Sequence, residues 1–275
     1  MKNGELILDL GEHFVSGFTD TFEEAFEGQK YPLKLVWSDK LDCPVLSEQP
    51  PFEMMWGKYW YQSGINGKMR KDLKNVVESI GEVMTPLKGD IWLDIASNDG
   101  TLLNFVKDDY VKVGCDPVEG YIAQLCKTKC SFFINDYFTA EKYLQNVSKK
   151  AKIITCCAMF YDLQDPNTFL KDVYDTLQDD GIFVFQFTYT PSMMLMGDFM
   201  NICHEHYAYH DFSNVYRLLE DVGFEVFDAE SYDTDLILAV PILVLEIVAV
   251  DAVLIKLFAT QCRSTVCKLL IGKLP

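Results

Sequence analysis

The chain has 275 residues, 49% of them hydrophobic, and a formal net charge of -17. That length and apolar content support one large or two small packed domains. The charge argues against a protein that wraps a nucleic-acid backbone, where affinity comes from Lys and Arg neutralising phosphates. The nine cysteines are scattered, several inside apolar strands (Cys115, Cys156, Cys157), and read as free thiols of a reducing compartment. Nothing over Met1 to Glu5 resembles a signal peptide, so the cytoplasm is the expected location.

Residues 1–62 hold short aromatic-rich pieces punctuated by Gly11, Gly17, Gly28, Pro32, Pro44, Pro50 and Pro51, and read as a small irregular N-terminal module. From Asn66, Met69, Leu73, Val76, Val77 and Ile80 fall on one face at helical spacing, with Gly81 as the stop. Strands are then expected at 91–95, 111–115, 131–134, 152–157 and 182–187, separated by helical patterns. The cleanest helix has Asp165 as cap, Pro166 in the first position, a stripe of Phe169, Leu170, Val173 and Leu177, and Gly181 as its end. A last helix from Ser213 buries Val215, Leu218, Leu219 and Val222, ends at Gly223 and feeds a strand at 224–229. This alternation predicts an α/β fold, a mostly parallel doubly wound sheet of Rossmann-like type spanning residues 63–235.

Residues 236–275 are expected to form an atypical apolar tail, with four basic residues against Glu246 and Asp251. Pro241, Glu246, Asp251 and Lys256 interrupt its apolar run, which favours a buried strand at 242–250 over the ~20 apolar residues of a membrane span. Beyond Ala259 no pattern is readable.

Strand 91–95 ends in the turn Ala96-Ser97-Asn98-Asp99-Gly100, followed by an expected helix at Thr101-Leu102-Leu103. Such turns lie at the carboxyl edge of the sheet, where open α/β folds bind ligands. A dinucleotide fingerprint, G-x-G-x-x-G, is absent. Asp94 and Asp99 would repel a pyrophosphate but suit a cationic amino-acid ligand. Asp116, at the end of the second strand, is placed for ribose hydroxyls, and Asn135-Asp136-Tyr137-Phe138 offer an acceptor and an aromatic wall to a purine. The set fits S-adenosylmethionine better than NAD.

The segments Tyr59-Trp60-Tyr61-Gln62-Ser63-Gly64-Ile65-Asn66, Leu93 to Thr101, Ala158-Met159-Phe160-Tyr161-Asp162-Leu163 and Cys203-His204-Glu205-His206 resemble the sugar C-methyltransferase family, in order, over residues 5–235. These are class I methyltransferases of nucleotide-linked keto-deoxysugars. The resemblance implies a cofactor site of Asp94, Ser97, Asn98, Asp99 and Gly100 at the methionine end, Asp116 at the ribose, and Asp136 with Tyr137 near the adenine.

Methyl transfer to carbon needs an enolate, hence a base beside a carbonyl, and histidine titrates near working pH. His206 is the first candidate, with Glu205 as orienting or sugar-binding group and His204 as base, partner or ligand. Tyr59 and Tyr61 are candidates to hold the enolate oxygen or simply to pack, and Lys68, Arg70 and Lys71 to meet a diphosphate or form a solvated face. No metal is expected: His206 and His210 are spaced as helical ligands, but Tyr207, Ala208 and Tyr209 lie between them without the metalloprotease glutamate.

Three departures from the family stand out. Its N-terminal zinc module uses two cysteine pairs, whereas only Cys43 lies in that region, which makes zinc doubtful. Ala96 replaces a common glycine. The Gly-Gly-Ser turn and further C-terminal domain of the family give way to Asp235-Leu236-Ile237-Leu238-Ala239-Val240-Pro241, from which an imperfectly completed fold and weakened activity are expected. The alternatives are methylation of an oxygen or nitrogen acceptor, or a catalytically inactive binding relative.

Overall fold

A computed structural model describes residues 1–15, 19, 21–56, 59–85, 87–230 and 266–273. In chain order these form β1 (Leu6–Phe14), α1 (Phe22–Glu27), β2 (Lys30–Ser38), β3 (Cys43–Leu46), α2 (Phe52–Trp56), α3 (Gly67–Val83), β4 (Ile91–Ile95), β5 (Val111–Cys115) and α4 (Gly120–Lys127). Then follow β6 (Phe132–Ile134), α5 (Ala140–Asn146), β7 (Ala151–Cys157), α6 (Pro166–Thr176), β8 (Leu177–Thr188), α7 (Thr190–Met196), α8 (Phe212–Val222), β9 (Phe224–Glu230) and β10 (Val266–Lys273).

Seven strands form one sheet in the order β6-β5-β4-β7-β8-β10-β9. The first five are parallel, and β10 runs antiparallel to both β8 and β9. All five residues of β4 are buried, as an apolar run covered on both faces requires. Side chains alternate between two cores. Leu93, Ile154, Phe183, Phe185 and Phe187 face α6 and α8, whereas Trp92, Ile153, Ile182 and Val184 face α3. Register is set by this alternation, since a one-residue slip would turn every apolar side chain to the other face.

Residues 1–46 are not irregular: they build a three-stranded antiparallel sheet, β1-β2-β3. This sheet docks on the histidine loop. Leu46 N donates to Tyr207 O at 2.8 Å, Tyr209 N to Pro44 O at 2.9 Å, and Val45 bridges Ala208.

Several local expectations give way to packing. Asn66 caps α3 by accepting from Lys68 N and Met69 N, but the helix runs through Gly81 to Val83, since Leu73, Val76, Val77 and Ile80 keep it docked. Residues 101–106 turn without forming a regular helix. α6 ends at Thr176, and Leu177 already belongs to β8, opposite Ala151. Gly181 therefore does not cap a helix; a Cβ there would meet Leu177 Cδ1 at 2.8 Å and Lys152 O at 2.9 Å. Residues 266–273, where no pattern was readable, supply β10, so this part of the tail completes the sheet. The strand expected at 242–250 lies outside the described residues. Among the described residues no helix is long and apolar enough to cross a membrane.

Candidate active site

Register brings the carboxyl ends of β4, β5, β6 and β7 together: Asp94 sits between Gly114 and Thr155, and Cys115 beside Ile134. Above them lies a cavity of about 250 Å³ lined by the strand ends, by Phe52 and Trp56 of α2, and by Tyr59 and Tyr61. Asp94, Ser97, Asn98, Asp116, Asp136 and Tyr137 all reach it.

Asp94 is 3% exposed. Thr155 Oγ1 donates to its Oδ1 at 2.7 Å and itself accepts from Trp92 Nε1 at 3.1 Å. Burial pushes the Asp94 carboxyl up to about 7, against the pull of the Thr155 hydrogen bond. Thr155 was invisible as a site residue in the sequence, where it is one polar position in an apolar strand. Asp116 accepts from Asn98 N (2.7 Å) through Oδ2 and from Val118 N (2.8 Å) through Oδ1. Burial raises its pKa and these two backbone donors oppose the rise. A carboxylate has about four acceptor positions, so two remain for a ligand. Asn135 Nδ2 shapes the same loop by donating to Asp116 O and Val118 O at 3.0 and 2.7 Å. Asp136 pairs with Lys142 at 2.6 Å, which holds its carboxyl below the usual range.

Two predicted cofactor residues do not reach the cavity. Asp99 is fully buried on the other side of the turn, where Oδ1 accepts from Thr101 N (3.0 Å) and Thr101 Oγ1 (2.6 Å), and Oδ2 from Gln62 Nε2 and Gly64 N, each at 3.1 Å. It pins the segment carrying Tyr61 to the turn. Gly100 is also outside the cavity wall; its φ of +73° and the backbone of Cys126 against it explain the glycine. The signal that separates Asp99 from Asp94 is the run of left-handed residues Ala96, Asn98 and Gly100, which reverses the turn between them.

The histidine cluster also divides. His204 Nε2 donates to Tyr31 O at 3.2 Å and is 2% exposed, so it anchors the N-terminal sheet rather than facing the cavity. His206 Nδ1 donates to Asn201 O at 2.8 Å, which leaves Nε2 as the acceptor. Burial drives the His206 ring down to about 4. His210 is a core residue between Phe160 and Phe187, accepting from Asn214 Nδ2 at 2.9 Å, so the His206–His210 spacing does not make a metal pair. Cys43, the lone N-terminal cysteine, lies 3.9 Å from His210 Nδ1 with its thiol pushed up to about 12 by burial. Cys203, Glu205 and His206 do bring three ligand-capable atoms within 4.8 Å of one another, but burial holds the Cys203 thiol up at about 11.

Glu205 and His206 do not line the cavity themselves; they lie behind its floor. That floor includes Asp162, Tyr59 and Met159. The Glu205 charge acts on both Asp162 and Tyr59, and burial raises the pKa of Tyr59 most. Ala208 N donates to Tyr161 O at 2.9 Å, and Gln49 Nε2 reaches Asp162 O and Glu205 O at 3.5 and 3.4 Å. Asp162 stands in the motif Ala158–Leu163 that supports the family resemblance, but the sequence reading gave it no role in the site. Its signal was its place directly after the fourth parallel strand.

The family described as a methyltransferase domain matches residues 65–229. The chain belongs to that methyltransferase family. The C-methyltransferase NovU of Streptomyces niveus is 24% identical over 206 residues, covering 74% of this chain and 49% of NovU, so the chain spans about half the length of the curated relative it matches. Among solved structures, a SAM-dependent methyltransferase from Archaeoglobus fulgidus superposes with a TM-score of 0.53 at 15% identity, covering 74% of this chain and 94% of that one. The magnesium protoporphyrin IX methyltransferase of Synechocystis, with bound SAH, gives 0.51 at 11% identity over 76% and 88%. These likenesses establish the Rossmann-like class I methyltransferase fold of this chain.

Within that fold Ala96 is an oddity. It lines the cavity with φ +56°. A left-handed L-residue costs ~1–2 kcal/mol, of which glycine's extra chain entropy returns ~0.5–1 kcal/mol. Ala96→Gly should therefore stabilise the methyltransferase by up to about 1 kcal/mol, raising its thermal midpoint. A lowered midpoint would contradict this account of the turn.

Proposed function

We propose that this methyltransferase takes a methyl group from S-adenosylmethionine and places it on a carbon of a nucleotide-linked keto sugar, with His206 as base. S-adenosylmethionine, when bound, supplies the electrophilic methyl. The cavity fits such a donor: buried Asp94 lies beside no cation among the described residues and suits an ammonium, Asp116 keeps free acceptor positions for ribose hydroxyls, and Tyr137 and Phe138 offer faces to a purine.

The observation that carries the reading is that Glu205, next in the chain to His206, lies close enough to Asp162 and Tyr59 in the cavity wall for its charge to act on both. His206 is not itself in the cavity wall, so in this reading the acceptor carbon passes Asp162 and Tyr59 to bring the proton beside its carbonyl to Nε2, the ring nitrogen that Asn201 O does not hold. Removing that proton leaves its electron pair on carbon, conjugated with the carbonyl, and that carbon attacks the methyl. Tyr59 and Tyr61 flank the same space with hydroxyls that burial keeps protonated. Similarity to a C-methyltransferase supports carbon as acceptor. Incubation with S-adenosylmethionine and a panel of nucleotide-linked keto sugars, followed by mass and NMR analysis, tests it. A new methyl on oxygen or nitrogen, or no product from any keto sugar, would overturn it.

The ammonium assignment makes a separate prediction. Asp94 titrates near 7 in the free protein, so a cation bound beside it favours the carboxylate and expels the proton. Binding of S-adenosylhomocysteine at pH 6 should release up to one proton, and affinity should rise with pH through about 7. Calorimetry in two buffers of different ionisation enthalpy measures this. Zero exchange, or proton uptake, would remove Asp94 from the ammonium site.

A further inference from the structure

Asp162 occupies a position that a structural role does not explain. It closes the 3₁₀ turn Phe160–Asp162 after β7, lines the cavity and is 8% exposed. Its Oδ1 is buried without a hydrogen-bond partner, and the charged group that acts on it is an anion, Glu205. A buried carboxylate left alone in this way is costly, whereas a buried carboxylic acid is a hydrogen-bond donor awaiting an acceptor.

We infer that Asp162 is a catalytic residue that works as a neutral acid, donating a hydrogen bond to the acceptor's carbonyl oxygen as negative charge develops on it. The inference rests on the proposed enolate reading of this site. Of the groups facing Asp162, Glu205 is the one whose charge favours the neutral form, and the others are thiols and phenols that burial keeps protonated. Glu205, Cys203 and Tyr209 come from the histidine loop, Tyr59 from the segment before α3, Cys156 from β7, and Tyr161 lies beside it. None of the six carries a positive charge. Burial, then the Glu205 charge, push the Asp162 pKa well above the ordinary carboxylate range.

The chemistry then balances without a further reagent. The C–H bond beside the carbonyl breaks and its proton passes to His206 Nε2. The electron pair moves into the new C=C bond, and the carbonyl oxygen becomes an oxyanion that accepts from the Asp162 O–H. The proton of Asp162 stays on Asp162. When the enolate carbon takes the methyl, the oxyanion returns to a carbonyl and the S–CH₃ electron pair remains on sulfur.

Asp162→Asn keeps a donor at the same place, and Asp162→Ala removes it. Losing one oxyanion donor typically costs about 10²–10³ in kcat. The alanine variant should show that loss, and the asparagine variant should stay within about tenfold of wild type. Both should bind S-adenosylhomocysteine within about threefold of wild type, the small change expected of a group away from that ligand. Full turnover by the alanine variant, equal loss in both variants, or lost cofactor affinity in both would overturn the assignment. Infrared difference spectra of wild type against Asp162→Asn at pH 7 give a readout that needs no substrate: a protonated-carboxyl band unique to wild type is expected, and its absence overturns the neutral acid. If wild type makes no methylated sugar while that band is present, the substrate reading fails and the acid at the cavity floor stands.

Discussion

His206→Gln should lower turnover by about 10²–10⁴ while leaving the affinity for S-adenosylhomocysteine within about threefold. The asymmetry follows from geometry. Asn201 O holds Nδ1–H, so Nε2 is the one ring nitrogen able to take a proton, and His206 lies outside the wall that would touch the cofactor. Glutamine preserves bulk and a donor to Asn201 O but has no basic nitrogen. The pH profile adds a signature. Burial lowers the ring to about 4, so the base is unprotonated over the whole neutral range, and kcat at saturating S-adenosylmethionine should fall only as pH drops through about 4, not near 6.5. Wild-type turnover in the glutamine variant, or an acid limb at the ordinary histidine value, would assign the base elsewhere.

Asp116→Ala should weaken S-adenosylhomocysteine binding by about 10²-fold, near 2.7 kcal/mol. A hydrogen bond to a charged group contributes ~1.5–3 kcal/mol, and the ribose hydroxyls lose theirs in this variant. The same change leaves Asn98 N and Val118 N without their acceptor, at ~1–3 kcal/mol for each buried donor, so the thermal midpoint should fall as well. Asp116→Asn separates the two effects: one amide oxygen still serves one backbone donor, and stability should recover more than affinity. Calorimetric titration beside thermal unfolding reads both. Unchanged affinity in the alanine variant would remove Asp116 from the ribose position.

That Asp94 and Asp116 would meet at one cavity was legible because its determinants are local. β4, β5 and β7 are short, mostly apolar strands, and Asp94 and Asp116 stand one residue before the end of β4 and one residue after the end of β5. What the sequence could not reveal was direction. Asp94 and Asp99 are chemically identical residues on one turn, yet left-handed backbone at Ala96 and Asn98 sends one into the cavity and the other to Gln62 and Thr101. His204 and His206 differ in the same way, one turned to Tyr31 and the other to Asn201. Asp162 escaped notice because its importance comes from neighbours far away in the chain. The N-terminal sheet was hidden by its prolines: Pro32 lies within β2, opposite Glu12 of the edge strand β1, and Pro44 lies in β3.

The sheet depends on β10, a strand far along the chain from its neighbour β8. β9 meets its neighbours only through β10, and the outer edge of β8, seven residues from Ile182 to Thr188, is paired by the same strand. Until residues 266–273 have emerged from the ribosome, β8 presents its backbone from Ile182 to Thr188 as an open edge, the kind of surface that recruits strands from other chains. The strands that carry the candidate site are thus made before the strand that covers their edge. Translation pausing before residue 266, or truncation there, would create an aggregation hazard, and non-local pairing of this kind belongs to the slow steps of folding.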